Sequence, residues 1–295
     1  MEKKNSFSLS FYKGRLVLLL SLFALSLLLS FLLAKFLLPH KLGDSASLSL
    51  ALSLLFSVLL PFAFCLYVEE GSVFEVSPSV PSPRVLGRFF FASLAAAALF
   101  LGYKALLSFL GKELSYTVLA VTPEVVTPLS LVAFAILPAF LEEWLCRGLV
   151  FSGLSEYGGW PLAILSAILF TVLYFPSPLA IPFFFILGLL FGLLRASLQS
   201  FYPTLLIALG LRLFMLFDAV NPLPFWHLEG QNMLLLSLAC LSLFLLFSGF
   251  ALVFPQMKHA LKGEREAGAS LRTLFLSPVL LCTLFMTLIF YVFLY

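Results

Sequence analysis

The chain has 295 residues, of which 62% are hydrophobic and only 11% are charged, and its formal net charge is +3. An average soluble domain carries about 25% charged residues, so this composition, with a mean hydropathy of +1.12, excludes an ordinary soluble domain. A helix crosses a bilayer with about 20 mostly apolar residues, and the sequence supplies that length many times over. It therefore predicts an all-α, polytopic transmembrane helical bundle.

Apolar runs predict about eight or nine membrane-spanning helices, with the shorter runs in the middle tilted or incompletely spanning. In chain order the runs are residues 16–38, 46–68, 88–111, 129–154, 159–175, 179–195, 203–219, 232–254 and 273–294. The first run follows basic residues, as in a signal peptide. It is nevertheless long for such a segment and lacks a small-residue cleavage site, so it is interpreted as a retained span.

The loops between these runs suggest one membrane domain without internal repeats. Three regions are distinguished within it: N-terminal spans and a linker over 1–128, a core over 129–220, and C-terminal spans over 221–295. Within the core, Gly188 and Gly192 form a pair of small residues four apart, which predicts close packing between helices.

The basic residues predict the orientation of the chain, because cytoplasmic loops are enriched in Lys and Arg. With the N-terminus in the cytoplasm, eleven of the seventeen basic residues fall inside, four fall outside and two lie within spans. The small positive charge is thus a topology signal, with membrane lipids as partners and no nucleic acid. We expect an integral protein of a prokaryotic inner or plasma membrane with a cytoplasmic N-terminus.

The stretch "AFLEEWLCRGLVFSGL" places three charges inside an apolar run: Glu142, Glu143 and Arg147. Charges in the bilayer core cost about 2.5–3.5 kcal/mol each on insertion scales and usually mark function. Glu143 and Arg147 are four apart and share a helix face, whereas Glu142 is turned about 100° away. Pro138 predicts a kink just before them. The pattern predicts a bracing Glu143–Arg147 pair with Glu142 facing a polar cavity, or a purely structural salt-bridge cluster.

The segment "EEWLCR" resembles the EExxxR motif of the CAAX-protease and bacteriocin-processing family, also called the Abi family. The resemblance continues through "SAILFTVLYF" and "FFFILGLLFGLLRASLQSFYPTLLIALGLRLFMLF", and it covers roughly residues 129–220. It implies a multi-pass intramembrane endopeptidase that uses a glutamate to cleave membrane-associated or lipidated peptides. The resemblance assigns the water-activating role to Glu142, with Glu143 and Arg147 as its support.

The family's other functional positions are occupied by different residue types in this chain. The second-motif histidine falls at Tyr174, the third-motif histidine at Ala208 and its asparagine at Arg212. The three histidines of the chain all lie outside the predicted spans; they are His40, His227 and His259.

Two interpretations of the altered site stay open. Glu142 acts as a base with Tyr174 as a hydrogen-bond donor and Arg212 as the group that stabilises the oxyanion. Alternatively, Arg212 neutralises Glu142 in a buried ion-pair network, which gives a protein with impaired hydrolysis or a pseudoprotease that binds membrane partners. A transporter is a third alternative. No residue pattern indicates a metal or an organic cofactor, and the expected partners are lipids and a lipidated or transmembrane peptide.

Overall fold

A computed structural model describes residues 83–112, 126–153, 159–173, 179–198, 200, 202–223 and 230–252 of the chain. The helices are α1 (Pro83–Phe109), α2 (Pro128–Leu131), α3 (Leu137–Glu143), α4 (Val150–Gly153), α5 (Gly159–Leu173), α6 (Ile181–Leu198), α7 (Tyr202–Val220) and α8 (Gly230–Leu252). Two π-helical turns, Val132–Ile136 and Trp144–Leu149, connect α2 to α3 and α3 to α4. Residues 128–153 therefore form one continuous helical segment. The described residues contain no strand, and the all-α prediction is confirmed.

Five helical segments are long and apolar enough to cross a membrane, which confirms a polytopic helical protein. They are Val85–Phe109, Pro128–Gly148, Ile181–Leu198, Tyr202–Val220 and Gly230–Leu252. The second predicted run of the core, 159–175, corresponds to α5, whose 15 residues extend only about 22 Å. The predicted spans at 16–38, 46–68 and 273–294 lie outside the described residues. The number of spans and the orientation of the chain stay predictions.

Prolines define where these helices begin. A proline occupies the first turn of α1, α2, α5, α6 and α7; the residues are Pro83, Pro128, Pro161, Pro182 and Pro203. The first-turn N–H groups of a helix have no partner within the helix, so the missing N–H of proline costs little there. At α2 the Thr127 side chain also accepts from the Ser130 N–H, and the Ser130 hydroxyl accepts from the Thr127 N–H, which closes a reciprocal cap.

Two helix pairs dominate the packing, and glycine lets the backbones approach in both. A Cβ on Gly188 would lie 2.9 Å from the Ala167 Cα, and one on Gly192 would lie 2.8 Å from the Ala163 Cα. The predicted close packing at these glycines is confirmed, and its partner is α5. In the second pair, Gly102 of α1 packs against α8 in the same way, with Cys240 Cβ 3.0 Å from the position of an added Cβ.

The ends of the helices lie on two opposite sides of the bundle. On one side, Lys104 near the end of α1 forms an ion pair with Asp218 near the end of α7. There too the Tyr103 hydroxyl donates to the Leu179 carbonyl, just before α6. The turn between α6 and α7, which contains Ser200, lies at the opposite end of those two helices. Hence α6 and α7 run antiparallel, as their short connection requires.

Helix α1 ends in a capping motif that needs a glycine. Gly111 has a φ of +65°, its N–H donates to the Ser108 carbonyl at 3.0 Å, and the Lys112 N–H donates to the Leu107 carbonyl at 2.8 Å. This double bond pattern is the Schellman motif, in which a left-handed residue satisfies the last carbonyls of the helix.

Replacing Gly111 with alanine is expected to destabilise the protein by about 1–2 kcal/mol, because a Cβ disfavours the left-handed region. The unfolding temperature of the protein in detergent micelles measures the effect. Gly87→Ala is the matched control, since Gly87 lies inside α1 with no atom within 4 Å of an added Cβ. That control is expected to be neutral or stabilising, as alanine favours the helix. Equal behaviour of the two variants would contradict the capping role.

Candidate functional site

The candidate site lies where the segment 128–153 changes its helical pitch twice. The first π turn ends just before Pro138, where the Leu137 N–H donates to the Val132 carbonyl five residues back. A widened turn of this kind is one of the irregularities that accompany kinks in helices, and the kink at Pro138 stays a prediction. The second π turn, Trp144–Leu149, begins directly after the two glutamates and contains Arg147. Widened turns of this type are frequent at functional sites.

Glu142, the candidate base, is in contact with Arg212 of α7. The Arg212 Nη2 donates to Glu142 Oε1 at 2.8 Å, across 70 residues of sequence. The two side chains are 9% and 10% exposed, so the pair is almost fully desolvated. The second oxygen of the carboxylate, Oε2, is buried and has no hydrogen-bond partner among the described residues. The structure thus brings together two of the residues that the sequence singled out, as a directly bonded ion pair.

Glu143 and Arg147 form a second pair, completely buried. Arg147 Nη1 lies 3.0 Å from Glu143 Oε1, and neither side chain has any exposed surface. The contact is an ion pair without the alignment of a hydrogen bond, since Arg147 Nη1 has no hydrogen-bond partner in the described part. Thr204 of α7, also fully buried, interacts with the Glu143 carboxylate as well. The spacing of four residues brings the two charges together even though a π turn lies between them.

The Arg147 guanidinium is held on its remaining sides by α5 and α6. Its Nη2 donates to the Gly188 carbonyl at 3.1 Å, and its Cζ lies 4.4 Å from the ring centroid of Phe170 and 5.4 Å from that of Phe191. Cations at such distances from aromatic rings are attracted by the π electrons. Glycine at position 188 serves this arrangement, because the α5 backbone lies against its Cα and leaves no room for a side chain. Arg147 therefore connects the motif helix to both of its neighbours.

Of the two remaining predicted site positions, the structure describes Ala208 but not Tyr174. Ala208 is buried on α7, one turn before Arg212, and offers only a methyl group at the position to which the resemblance assigns a histidine. Tyr174 lies outside the described residues, so its place relative to Glu142 stays a prediction. Within the described part, no group of three or more His, Cys, Asp or Glu side chains is arranged to hold a metal ion.

Sequence reasoning missed three contributors to this region. Thr204, the Gly188 carbonyl and Arg195, whose Nε donates to the Arg147 carbonyl at 3.1 Å, all contact the motif residues. Thr204 leaves no signal of its own, because a lone threonine is common in membrane helices. Gly188 was singled out for close packing, but its carbonyl as a partner of Arg147 was not predicted. Arg195 did carry a signal, being a basic residue at the end of an apolar run, but it was interpreted only as a topology charge.

A comparison with protein-family models matches residues 124–213 to the family described as "Type II CAAX prenyl endopeptidase Rce1-like". Residues 124–213 are thus similar to the Rce1-like family. This segment contains both ion pairs, the two π turns and the positions of Tyr174 and Ala208, and it confirms the resemblance that the EExxxR motif indicated. The searches of curated proteins and of solved structures found no match to the chain. The match covers less than a third of the 295 residues.

Proposed function

We propose that this chain is a CAAX-protease-like membrane protein in which peptide hydrolysis is impaired, because Arg212 holds the candidate base Glu142 in an ion pair. The 2.8 Å bond between Arg212 Nη2 and Glu142 Oε1 carries the proposal. The family resemblance assigns an asparagine to position 212 and histidines to positions 174 and 208. Here the same places hold a cation, a phenol and a methyl group.

A general base has two requirements in peptide hydrolysis. The base accepts a proton from water and a nearby group passes it on, which imidazole does well near neutral pH. Arg212 carries donors only, so it can neither accept nor relay a proton. Turning Glu142 away from Arg212 to orient a water would leave a buried charge without its partner, which costs about 3–5 kcal/mol. The ion pair therefore favours a Glu142 carboxylate that stays bonded to Arg212 over one that turns away to activate a water molecule.

An impaired site still keeps the features suited to binding a membrane-embedded peptide. Both ion pairs are internally neutral, so the interior of the Rce1-like domain presents little net charge to an apolar ligand. A prenylated or transmembrane peptide that enters between these helices would find an apolar surface with a few polar groups, the usual composition of a ligand site. We propose such a peptide as the ligand, bound and released without efficient cleavage.

The first test is a cleavage assay with the purified full chain in liposomes, using a panel of prenylated and transmembrane peptides. We expect the wild type to cleave no faster than Glu142→Gln. A histidine-containing relative assayed beside it shows that the panel is active, and thermal unfolding shows that both proteins are folded. Cleavage by the wild type that is lost in Glu142→Gln would contradict impaired hydrolysis.

A gain-of-function variant tests the stated cause. Tyr174→His, Ala208→His and Arg212→Asn, introduced together, place the family's residue types at the three altered positions. General acid–base assistance contributes roughly 10²–10⁴-fold, so we expect the triple variant to cleave at least about 10²-fold faster than the wild type. The same triple variant with Glu142→Gln is the matched control and should be inactive. A folded triple variant that still binds the peptides without cleaving them would refute the role assigned to these positions.

A second candidate function, a slow endopeptidase that uses Glu142 without histidine, rests on Glu142 Oε2. This oxygen is buried without a hydrogen-bond partner in the described part, so it retains lone pairs that can orient a water molecule. In this case Arg212 would stabilise the oxyanion while bonded to Oε1. The cleavage assay separates the two functions, since only the slow endopeptidase gives turnover that depends on both Glu142 and Arg212.

A further inference from the structure

Arg195 is a cation with a fixed guanidinium and no carboxylate partner in the described part of the chain. The described residues include three carboxylates, and each is paired with another cation: Glu142 with Arg212, Glu143 with Arg147 and Asp218 with Lys104. The side chain of Arg195 is half-buried, and its Cζ lies 5.6 Å from the ring centroid of Phe151. Its Nε donates to the Arg147 carbonyl at 3.1 Å.

These contacts leave one edge of the guanidinium for an external acceptor. Arginine presents five N–H donors in a rigid fork, and the bond to the Arg147 carbonyl uses only the Nε donor. The terminal nitrogens have no hydrogen-bond or ion-pair partner among the described residues, and they are not enclosed by the protein. A fork that is held in place in this way suits a phosphate or a carboxylate, which bind it through two parallel bonds.

The position of Arg195 in the membrane selects the kind of anion. Helix α6 has 18 residues and extends about 27 Å, close to the roughly 30 Å of the hydrocarbon core. Arg195 lies in its last turn, three residues before Leu198, so its head group is about 5 Å from the end of the helix. The turn to α7 follows at once. With α6 spanning the hydrocarbon core, Arg195 would lie at the depth where lipid phosphates begin, on the face that the basic residues predict to be cytoplasmic.

We propose that Arg195 binds the phosphate of an anionic lipid headgroup and couples that lipid to the Glu143–Arg147 pair through the Arg147 carbonyl. The terminal nitrogens hold the phosphate while Nε holds the backbone of the second π turn, Trp144–Leu149. A bound phosphate restricts the motion of the Arg195 guanidinium. This strengthens the hydrogen bond from Arg195 Nε to the Arg147 carbonyl in that turn. The lipid thereby stabilises the segment that presents Arg147 to Glu143, whether or not the site cleaves peptides.

The test compares the full chain in nanodiscs of phosphatidylcholine alone and in nanodiscs with added phosphatidylglycerol. Two quantities are measured: the unfolding temperature and the rate of amide hydrogen exchange in residues 144–153. For the wild type we expect phosphatidylglycerol to raise the unfolding temperature and to slow amide hydrogen exchange in residues 144–153. Arg195→Gln should lose both responses. Arg195→Lys should keep only part of them, since an ammonium cannot bind the carbonyl and the phosphate with two separate edges.

Controls distinguish the lipid from other anions. Lys112→Gln removes an exposed cation beyond the end of α1 and should keep the full lipid response, which separates a specific site from general surface charge. The proposal is overturned if Arg195→Gln responds to phosphatidylglycerol as the wild type does. Inorganic phosphate added to phosphatidylcholine nanodiscs should have no effect. The same protection from phosphate alone would assign the site to a soluble anion and overturn the lipid assignment.

One residue of the chain is a competing anion. Glu156 lies in residues 154–158, between α4 and α5, which is close in sequence to the site but outside the described part. If Glu156 neutralises Arg195, Glu156→Gln should destabilise the wild type in phosphatidylcholine and leave Arg195→Gln unchanged. That outcome would replace the lipid with an internal ion pair and refute the proposal. Additive effects of the two substitutions, with the lipid response intact in Glu156→Gln, would support it.

Discussion

Replacing Arg147 with methionine is expected to destabilise the protein by about 3–5 kcal/mol, the largest loss from any single charge removal in the described part. The substitution leaves the Glu143 carboxylate, which has no exposed surface, without its counter-charge. It also removes the bond to the Gly188 carbonyl and the contacts with the rings of Phe170 and Phe191. Denaturant unfolding in detergent micelles, followed by tryptophan fluorescence, measures the loss.

A double variant separates the unpaired charge from the lost packing. Glu143→Gln combined with Arg147→Met removes both charges and should be more stable than Arg147→Met alone, because no ion is left buried. The exposed Lys112→Met serves as the control and should stay within about 0.5 kcal/mol of the wild type. If Arg147→Met were as stable as Lys112→Met, the buried pair would have no structural importance.

The pair at the centre of this prediction could be anticipated from the sequence, because Glu143 and Arg147 are close along one helix. Local spacing also predicted the close contact at Gly188 and Gly192, although not that α5 was the partner. The apolar runs placed the helices of the described part within a few residues of their bounds, since hydrophobic length is a strong constraint in a bilayer. Features fixed by neighbours in sequence were thus within reach of the sequence alone.

Contacts between distant parts of the chain could not be predicted from the local sequence. Lys104 and Asp218 are 114 residues apart, and nothing in either local sequence indicates that they form an ion pair. Arg212 was linked to Glu142 only through the family resemblance, which placed position 212 near the base, and the direct bond is a finding of the structure. The two π turns were also missed, because π and α turns have nearly the same apolar pattern over five or six residues.

The packing of α5 against α6 gives the second large effect, which is expected for Gly192→Ala. An added Cβ would lie 2.8 Å from the Ala163 Cα, 3.0 Å from its carbonyl oxygen and 3.1 Å from its Cβ. Two of these three atoms belong to the backbone, so no change of rotamer relieves the overlap and the helices must separate. Overpacking of this kind costs about 1–3 kcal/mol, against which alanine recovers up to about 1 kcal/mol of helix propensity.

Gly210→Ala is the matched control for this prediction, because Gly210 lies inside α7, is exposed and has no atom within 4 Å of an added Cβ. The two substitutions are chemically identical, so their stabilities should change in opposite directions: a loss for Gly192→Ala and no loss or a gain for Gly210→Ala. Unfolding temperatures in the same detergent decide the matter. Adding Ala163→Gly to Gly192→Ala should restore only part of the stability, because the Ala163 Cα and carbonyl remain in place. Full restoration would mean that side chains, and not the two backbones, set the distance between these helices.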